Sequence, residues 1–382
     1  MFISVIGTWI QIVAQSWLVF QLTNSAFLLG VVGFLGLIPI FLLSLFGGVA
    51  ADTFNKRSIL ICTQTVFMLL AFTLAILTHL RLITTWQIMV IAVLNGIVMS
   101  FDMPSRQAIV AELVGRGNLL NAIALNSVAF NSSRIIGPAL AGILVAAIGM
   151  AGCFYVNSIS FLAVIFALLL IRINNNSPLN KNTSTLGNLK EGLGVINSNP
   201  TILALVCIVG VLSLFGNSYT ILMPVFAKEV LNAGVKGLGV LMSSVGIGAL
   251  ISALVLARLG NFRHKGMLMV LSAFIFSVSL VTFSLSKIYL FSIISLIFVG
   301  GASVTAIALI NTILQIEVRD EFRGRIMSVF MLTFAGIMPF GNLLAGALAH
   351  FVGVSYTIML NGILCMLFFT VIIMLYPRLK AI

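Results

Sequence analysis

The chain has 382 residues, of which 61% are hydrophobic and only 7% charged. Soluble domains carry roughly 25% charged residues, so a water-facing enzyme of this length is excluded, and so is disorder, which needs the opposite composition. The formal charge of +12 comes from Lys and Arg placed singly or in small groups between apolar runs, a pattern of membrane-protein loops rather than of a nucleic-acid surface.

A membrane-spanning helix needs about 20 mostly apolar residues. Such runs cover Phe2–Leu22, Leu28–Ala50, Ser58–Leu80, Trp86–Phe101, Leu119–Ile148, Cys153–Ile171, Thr201–Phe226, Gly237–Ala257, Met267–Leu285, Ile288–Leu314, Ile326–Phe351 and Val354–Tyr376. Unbroken runs of this kind exclude a β-barrel, whose segments alternate over about ten residues. The first run has no basic lead and no cleavage motif, so it reads as a helix rather than a cleaved signal. The chain enters it almost at once, and a few residues are expected to precede the given start. A polar stretch rich in Asn, Ser, Thr and Gly then separates six runs from six. The reading is an all-α membrane protein with twelve transmembrane helices in two pseudo-symmetric six-helix halves, residues 1–173 and 200–382, joined by a cytoplasmic linker over 174–199.

Assigning the loops alternately to two sides puts fifteen of the 20 Lys and Arg on one side, with only Arg81, Lys228, Lys236 and Lys287 on the other. That places the linker and both termini in the cytoplasm. The halves also echo each other. Gly137, Ala141, Gly142 and Gly149 recur as Gly341, Ala345, Gly346 and Gly353, each 204 residues on. Internal repeats are how secondary transporters are built, with sites near the bilayer midplane. The cysteines, Cys62, Cys153, Cys207 and Cys365, form no CxxC pair and read as small buried hydrophobes.

Four groups of residues carry chemistry. After the second helix comes Gly48-Val49-Ala50-Ala51-Asp52-Thr53-Phe54-Asn55-Lys56-Arg57: a small residue for close helix approach, an acid at the membrane edge, then two basics. The fifth helix holds Arg134 about midway, followed by Gly137-Pro138-Ala139-Leu140-Ala141-Gly142; Pro138 leaves the Arg134 carbonyl without its helical donor. An Arg at that depth costs at least about 2.5–3.5 kcal/mol and calls for a partner or a watery cavity. Of the eight acids only Asp102 is comparably deep, so an Asp102–Arg134 pair is expected; the other reading makes Asp102 a helix-end feature beside Pro104 and Arg106. Finally, Gln11 and Gln15 share a face of the first helix, as Ser213 and Asn217 do on the seventh. They line a cavity or bond between helices.

The loop at Gly48–Arg57 resembles that of the major facilitator superfamily, and Gly137-Pro138-x-x-x-Gly142 is similar to its antiporter motif. The segments Asp102-Met103-Pro104-Ser105-Arg106-Gln107, Asn121–Ser127 and Arg323–Ser328 resemble the branch that holds the enterobactin exporter and the macrolide efflux proteins. The resemblance implies export of a small molecule such as a siderophore or drug by proton antiport. It implies a cytoplasmic gate of Gly48, Asp52, Lys56, Arg57 and Arg106, in which Asp52 caps the eleventh helix near Ile326. It also implies a cavity including Gln11, Gln15, Asn126, Arg134, Ser213 and Asn217, and proton coupling through Asp102 and Arg134. Expected partners are the substrate, protons and membrane lipid, with no cofactor, no metal and no nucleic acid, and a monomer is the family default in a bacterial inner membrane. Import on the same fold, or a non-transporting sensor or assembly role, stays open at this point. No nucleotide-binding loop or hydrolase constellation occurs.

Overall fold

The computed structural model describes residues 2–171, 194–196, 198–260 and 262–380, apart from the side chains of 111, 112, 114–116, 118–120, 123, 124, 320 and 380. Most of the expected linker, 174–199, lies outside these residues. The helices are α1 (Phe2–Thr23), α2 (Ala26–Thr53), α3 (Lys56–His79) and α4 (Thr85–Val110); α5 and α6, which share Leu125–Leu170; and α7 (Pro200–Val230), α8 (Gly234–Leu259), α9 (Lys265–Leu285), α10 (Tyr289–Glu317), α11 (Asp320–Val352) and α12 (Val354–Leu375). Local sequence fixes several starts. Ser25, Asn55 and Asn199 are N-caps whose side chains accept from the first free N–H groups of α2, α3 and α7, and Pro200 follows at the first turn of α7.

Helical backbone continues from Thr85 to Leu170, yet it is not one rod. The 46 residues of Leu125–Leu170 would extend about 69 Å, more than twice the hydrocarbon thickness. Gly7 of α1 lies against Asn157 and Ser160, while Ile6 and Trp9, on the same turns of α1, meet Gly137. Residues twenty apart can touch one place only if the chain doubles back. It does so at Gly149, whose φ of +73° is open to glycine and strained for other residues. Among the described residues, the eleven helices long and apolar enough to cross a membrane thus account for twelve crossings.

The chain divides into two compact units. One holds Met1–Lys181 with Gly234–Ser243, the other Asn182–Ala233 with Ser244–Ile382. The first ten residues of α8 join the first unit because Ser243 Oγ donates to the Ile135 carbonyl of α5 at 2.7 Å, and Gly142 lies against Val235 and Lys236.

The internal repeat is visible within each unit at the 204-residue offset. Gly149 and Gly353 both have positive φ and turn the chain between α5 and α6 and between α11 and α12. Gly137 packs on Ile6 and Trp9 of α1, as Gly341 packs on Ser213 and Leu214 of α7. Gly96 of α4 meets Gly36 and Pro39 of α2, and Gly300 of α10 meets Val245 of α8. Without a hydrophobic force between helices in lipid, such small-residue contacts let backbones approach and van der Waals packing hold them. Asn157 of α6 donates to Gln11 Oε1 of α1 at 2.6 Å, and Asn361 of α12 donates to Ser218 Oγ of α7 at 3.0 Å. The two amides differ in their oxygens. Asn157 Oδ1 accepts from Ser160, whereas Leu364 stands three residues after Asn361, whose Oδ1 is buried without a partner.

Of the cysteines, Cys153 and Cys365 are buried as expected; Cys62 and Cys207 are exposed. Cys207 shares an apolar pocket with Ile337 of α11 and Phe368 of α12.

The glycine contacts give a graded test. Gly137→Val and Gly341→Val force a side chain into the neighbouring helix, an overpacking of about 1–3 kcal/mol. Gly48 has open space around it. We expect the first two variants to lower the melting temperature of the detergent-purified protein, followed by size-exclusion fluorescence, and Gly48→Ala to leave it unchanged or raised.

Candidate functional site: a buried carboxylate, a mid-helix arginine and a broken helix

Asp102 lies in the last part of α4, facing α3, and is completely buried. Its Oδ1 accepts from Thr63 Oγ1 at 2.8 Å and Gln64 Nε2 at 2.7 Å. Its Oδ2 accepts from Arg106 Nη2 at 2.7 Å and Nε at 3.1 Å. Residues four apart share a helix face, so α4 itself supplies the cation. The Asp102 side chain has no solvent exposure and that of Arg106 has 25%, so the pair is open only on the arginine side.

This corrects the expected Asp102–Arg134 pair. The two arginines compete for one carboxylate, and Arg106 takes it. Depth along the membrane normal placed Asp102 and Arg134 level, but depth says nothing about which way a helix face points. Arg106, expected in the cytoplasmic gate, is thus the partner of Asp102.

Arg134 is half-buried on α5, with no hydrogen bond or ion pair among the described residues. Beside it, Ser133 donates to Ala129 and the Ser243 hydroxyl serves the Ile135 carbonyl. The glycines of the adjoining motif face different neighbours: Gly137 meets α1, and Gly142 meets the start of α8, where Gly239 also touches the Pro138 carbonyl. The motif is a seam of close backbone approach around one cation.

At the end of α2, Gly47 rather than Gly48 makes the close contact, against the Ser100 backbone of α4. Asp52 is exposed in the last turn. Asn55, a departure from the family pattern, caps α3 by accepting from the Arg57 and Ser58 N–H groups. Arg57 Nε and Nη2 donate to the Leu168 and Leu169 carbonyls at 2.7 and 2.8 Å, capping the end of α6 where a cation is favourable. Lys56 opens α3 beside it.

The polar positions of α1 and α7 divide between two roles. Gln11 is bonded to Asn157 and helps join α1 to α6. Gln15 is half-buried and without a hydrogen bond among the described residues, and Asn126 is exposed. Helix α7 is discontinuous midway. Leu212–Gly216 is π-helical, and the Asn217 N–H reaches back five residues to the Leu212 carbonyl. Ser213 sits in this stretch, fully buried, its Oγ unpartnered, and Asn217 closes it. Asn342 of α11, next to the Gly341 that packs on Ser213, also has a buried unpartnered oxygen. Irregular backbone at this depth is tolerated only inside protein or beside a cavity, and π-helical turns are frequent at functional sites. Sequence reading singled out Ser213 and Asn217 but not Asn157, Asn342 or Asn361. The available signal was an Asn in an otherwise apolar helix, recurring at the repeat offset for Asn157 and Asn361.

Two repeated six-helix bundles with a helix broken at mid-membrane define a secondary-active transporter of small molecules, of the major facilitator class. The chain belongs to the major facilitator family described as transmembrane secretion effector, whose model matches residues 1–382. It is 29% identical to the Staphyloferrin A transporter of Staphylococcus aureus, over 95% of this chain and 91% of that protein. It is 25% identical to the multidrug efflux pump Tap of Mycolicibacterium fortuitum, over 98% and 93%. The crystal structure of the nucleoside transporter NupG aligns with a TM-score of 0.75 at 13% identity, covering 98% of each chain, a likeness of fold. Relatives of different substrate stand side by side, so the superfamily is fixed and the branch expected from the sequence is not singled out.

The two arginines separate by stability. Removing one partner of a buried pair costs about 3–5 kcal/mol. Arg106→Gln is therefore expected to destabilise the purified protein strongly, whereas Arg134→Gln, which breaks no pair among the described residues, leaves the melting temperature near the parent's.

Proposed function

We propose that this transporter exports a small anionic molecule of the siderophore class from the bacterial cytoplasm by proton antiport, through alternating access, with both termini cytoplasmic. The observation that supports this most is Arg134. A cation midway along α5, with the one buried carboxylate among the described residues held by Arg106, is suited to an anionic ligand; neutralised by Asp102, it would have suited a neutral or cationic drug. Gln15, Asn126, Ser213 and Asn217 supply neutral hydrogen-bonding groups along the same cavity in this reading, with Gln11 held back by Asn157. The family description and the efflux relative support the outward direction.

Asp102 and Arg134 are the proposed coupling residues. All four acceptor directions of Asp102 are occupied, so a proton reaches it only as Arg106 swings away, and the exposed side of Arg106 is where water enters. Asp52, with Lys56 and Arg57, is the cytoplasmic gate in this reading, its carboxylate suited to the positive end of α11, which starts at Asp320 rather than near Ile326, an interaction worth about 0.3–1 kcal/mol.

Efflux from cells with and without the gene, across a panel of siderophores and cationic drugs and with or without an uncoupler, tests the whole reading. We expect gene-dependent, uncoupler-sensitive efflux of anionic compounds. Loss of a charge-assisted hydrogen bond is worth about 1.5–3 kcal/mol, so Arg134→Gln is expected to raise KM roughly ten- to a hundredfold and Arg134→Lys to recover part of it. Export confined to cationic drugs, or unaffected by Arg134→Gln, overturns the anionic assignment.

A further inference from the structure

Away from the polar centre, α8, α9 and α10 enclose an outward-facing groove of about 280 Å³. Its walls include Ile251, Val255 and Leu259 of α8, Leu268 and Ile275 of α9 and Phe298 of α10. Ile251, Val255 and Phe298 are each more than half exposed. At 100° per residue Val255 and Leu259 lie about 100–160° round α8 from Lys236, Gly239 and Ser243, the face that meets α5, so this end of the groove turns away from α5. It follows α8 from Gly248 to Leu259, about 16 Å. Of the three hydroxyls in its wall two are already used, Ser272 donating to Leu268 and Thr305 to Gly301, which leaves Ser252. What the groove offers an occupant is mainly hydrocarbon.

One end of the groove is strongly charged. Leu259 ends α8 and Leu268 lies in the first turn of α9. Arg258 precedes Leu259, and between the two leucines the chain carries Arg263, His264 and Lys265 and no acid; the nearest acids in the sequence are Glu229 and Glu317. Arg258 and Arg263 are exposed and make no hydrogen bond or ion pair among the described residues. Gly260, at φ +57°, turns the chain between α8 and α9, with Arg258 next to the lining residue Leu259 and Arg263 five residues before the lining residue Leu268. The distribution of Lys and Arg assigns this end to the cytoplasmic leaflet, where anionic headgroups lie and where basic pockets between helices bind them.

We propose that the α8–α9–α10 groove and the Arg258–Lys265 loop form a site for one anionic phospholipid, an acyl chain in the groove and the phosphate on Arg258 and Arg263. The groove alone would take a chain from any lipid, and the loop alone would attract any anion. Their adjacency selects a molecule with both parts. The inference stands apart from the transported substrate, since it uses neither Arg134 nor α7.

The test is native mass spectrometry of the full-length protein in detergent, titrated with phosphatidylglycerol or phosphatidylcholine. We expect one phosphatidylglycerol retained with a preference of roughly tenfold or more. The double variant Arg258→Gln, Arg263→Gln should lose the preference while still holding chains weakly. Val255→Trp, at an exposed position of the wall, should lose retention of both lipids. Glycerol phosphate, the headgroup without chains, should not compete. Equal phosphatidylglycerol retention by parent and double variant, or competition by glycerol phosphate as effective as by the lipid, overturns the proposal. Unchanged melting temperatures keep these readings separate from misfolding.

Discussion

Hydrocarbon offers a polar group nothing to bond with, and that constraint decides which parts of this chain can be irregular. Most hydroxyls in the spans turn back on their own helix, as Thr65 does to Ile61 and Thr305 to Gly301. Helix ends are served in the same way: Arg57 answers two carbonyls at the close of α6 that would otherwise need water. Once these routine needs are met, what remains unanswered is a short set of atoms. Among the described residues these are Gln64 Oε1 and Ser105 Oγ near Asp102, Ser213 Oγ in the broken α7, Asn342 Oδ1 on α11 and Asn361 Oδ1 on α12, and beside them, in the proline-interrupted α5, the Arg134 guanidinium.

The placement of charge follows the same constraint. A carboxylate with no exposure persists because four donors converge on it, three side chains from two helices. That arrangement ties α3 to α4 and removes Arg106 from any role that needs a free cation. It also leaves Arg134 as a charge without a counter-ion among the described residues, so the pairing in α4 bears on the electrostatic character of α5.

Much of this was legible in the sequence. Twelve crossings follow from apolar runs, and the repeat from glycines 204 apart, because both depend on residue type at fixed spacing. The turn at Gly149 and the crossings at Gly137 and Gly341 were readable for the same reason. What was not legible depends on azimuth or on a single residue's worth of backbone. The partner of Asp102 is set by the rotation of α4 about its axis, which depth cannot report, although the four-residue spacing to Arg106 was the local clue. Gly47 rather than Gly48 makes the close contact by the same rotation. The π-helical stretch in α7 has no composition of its own. Asn55 stood out as a mismatch to the family pattern, while physically it does what a helix start requires.

The unequal amides of α6 and α12 have a practical side. Because the halves share one register, each serves as a template for editing the other. A serine at 364 copies the Ser160 hydroxyl into the second repeat, where Asn361 Oδ1 has no donor. The same register shows where copying would not be neutral: residue 215, opposite Gln11, is a phenylalanine stacked on Phe368, so the aromatic pair and the amide bridge are alternative solutions that cannot be mixed position by position.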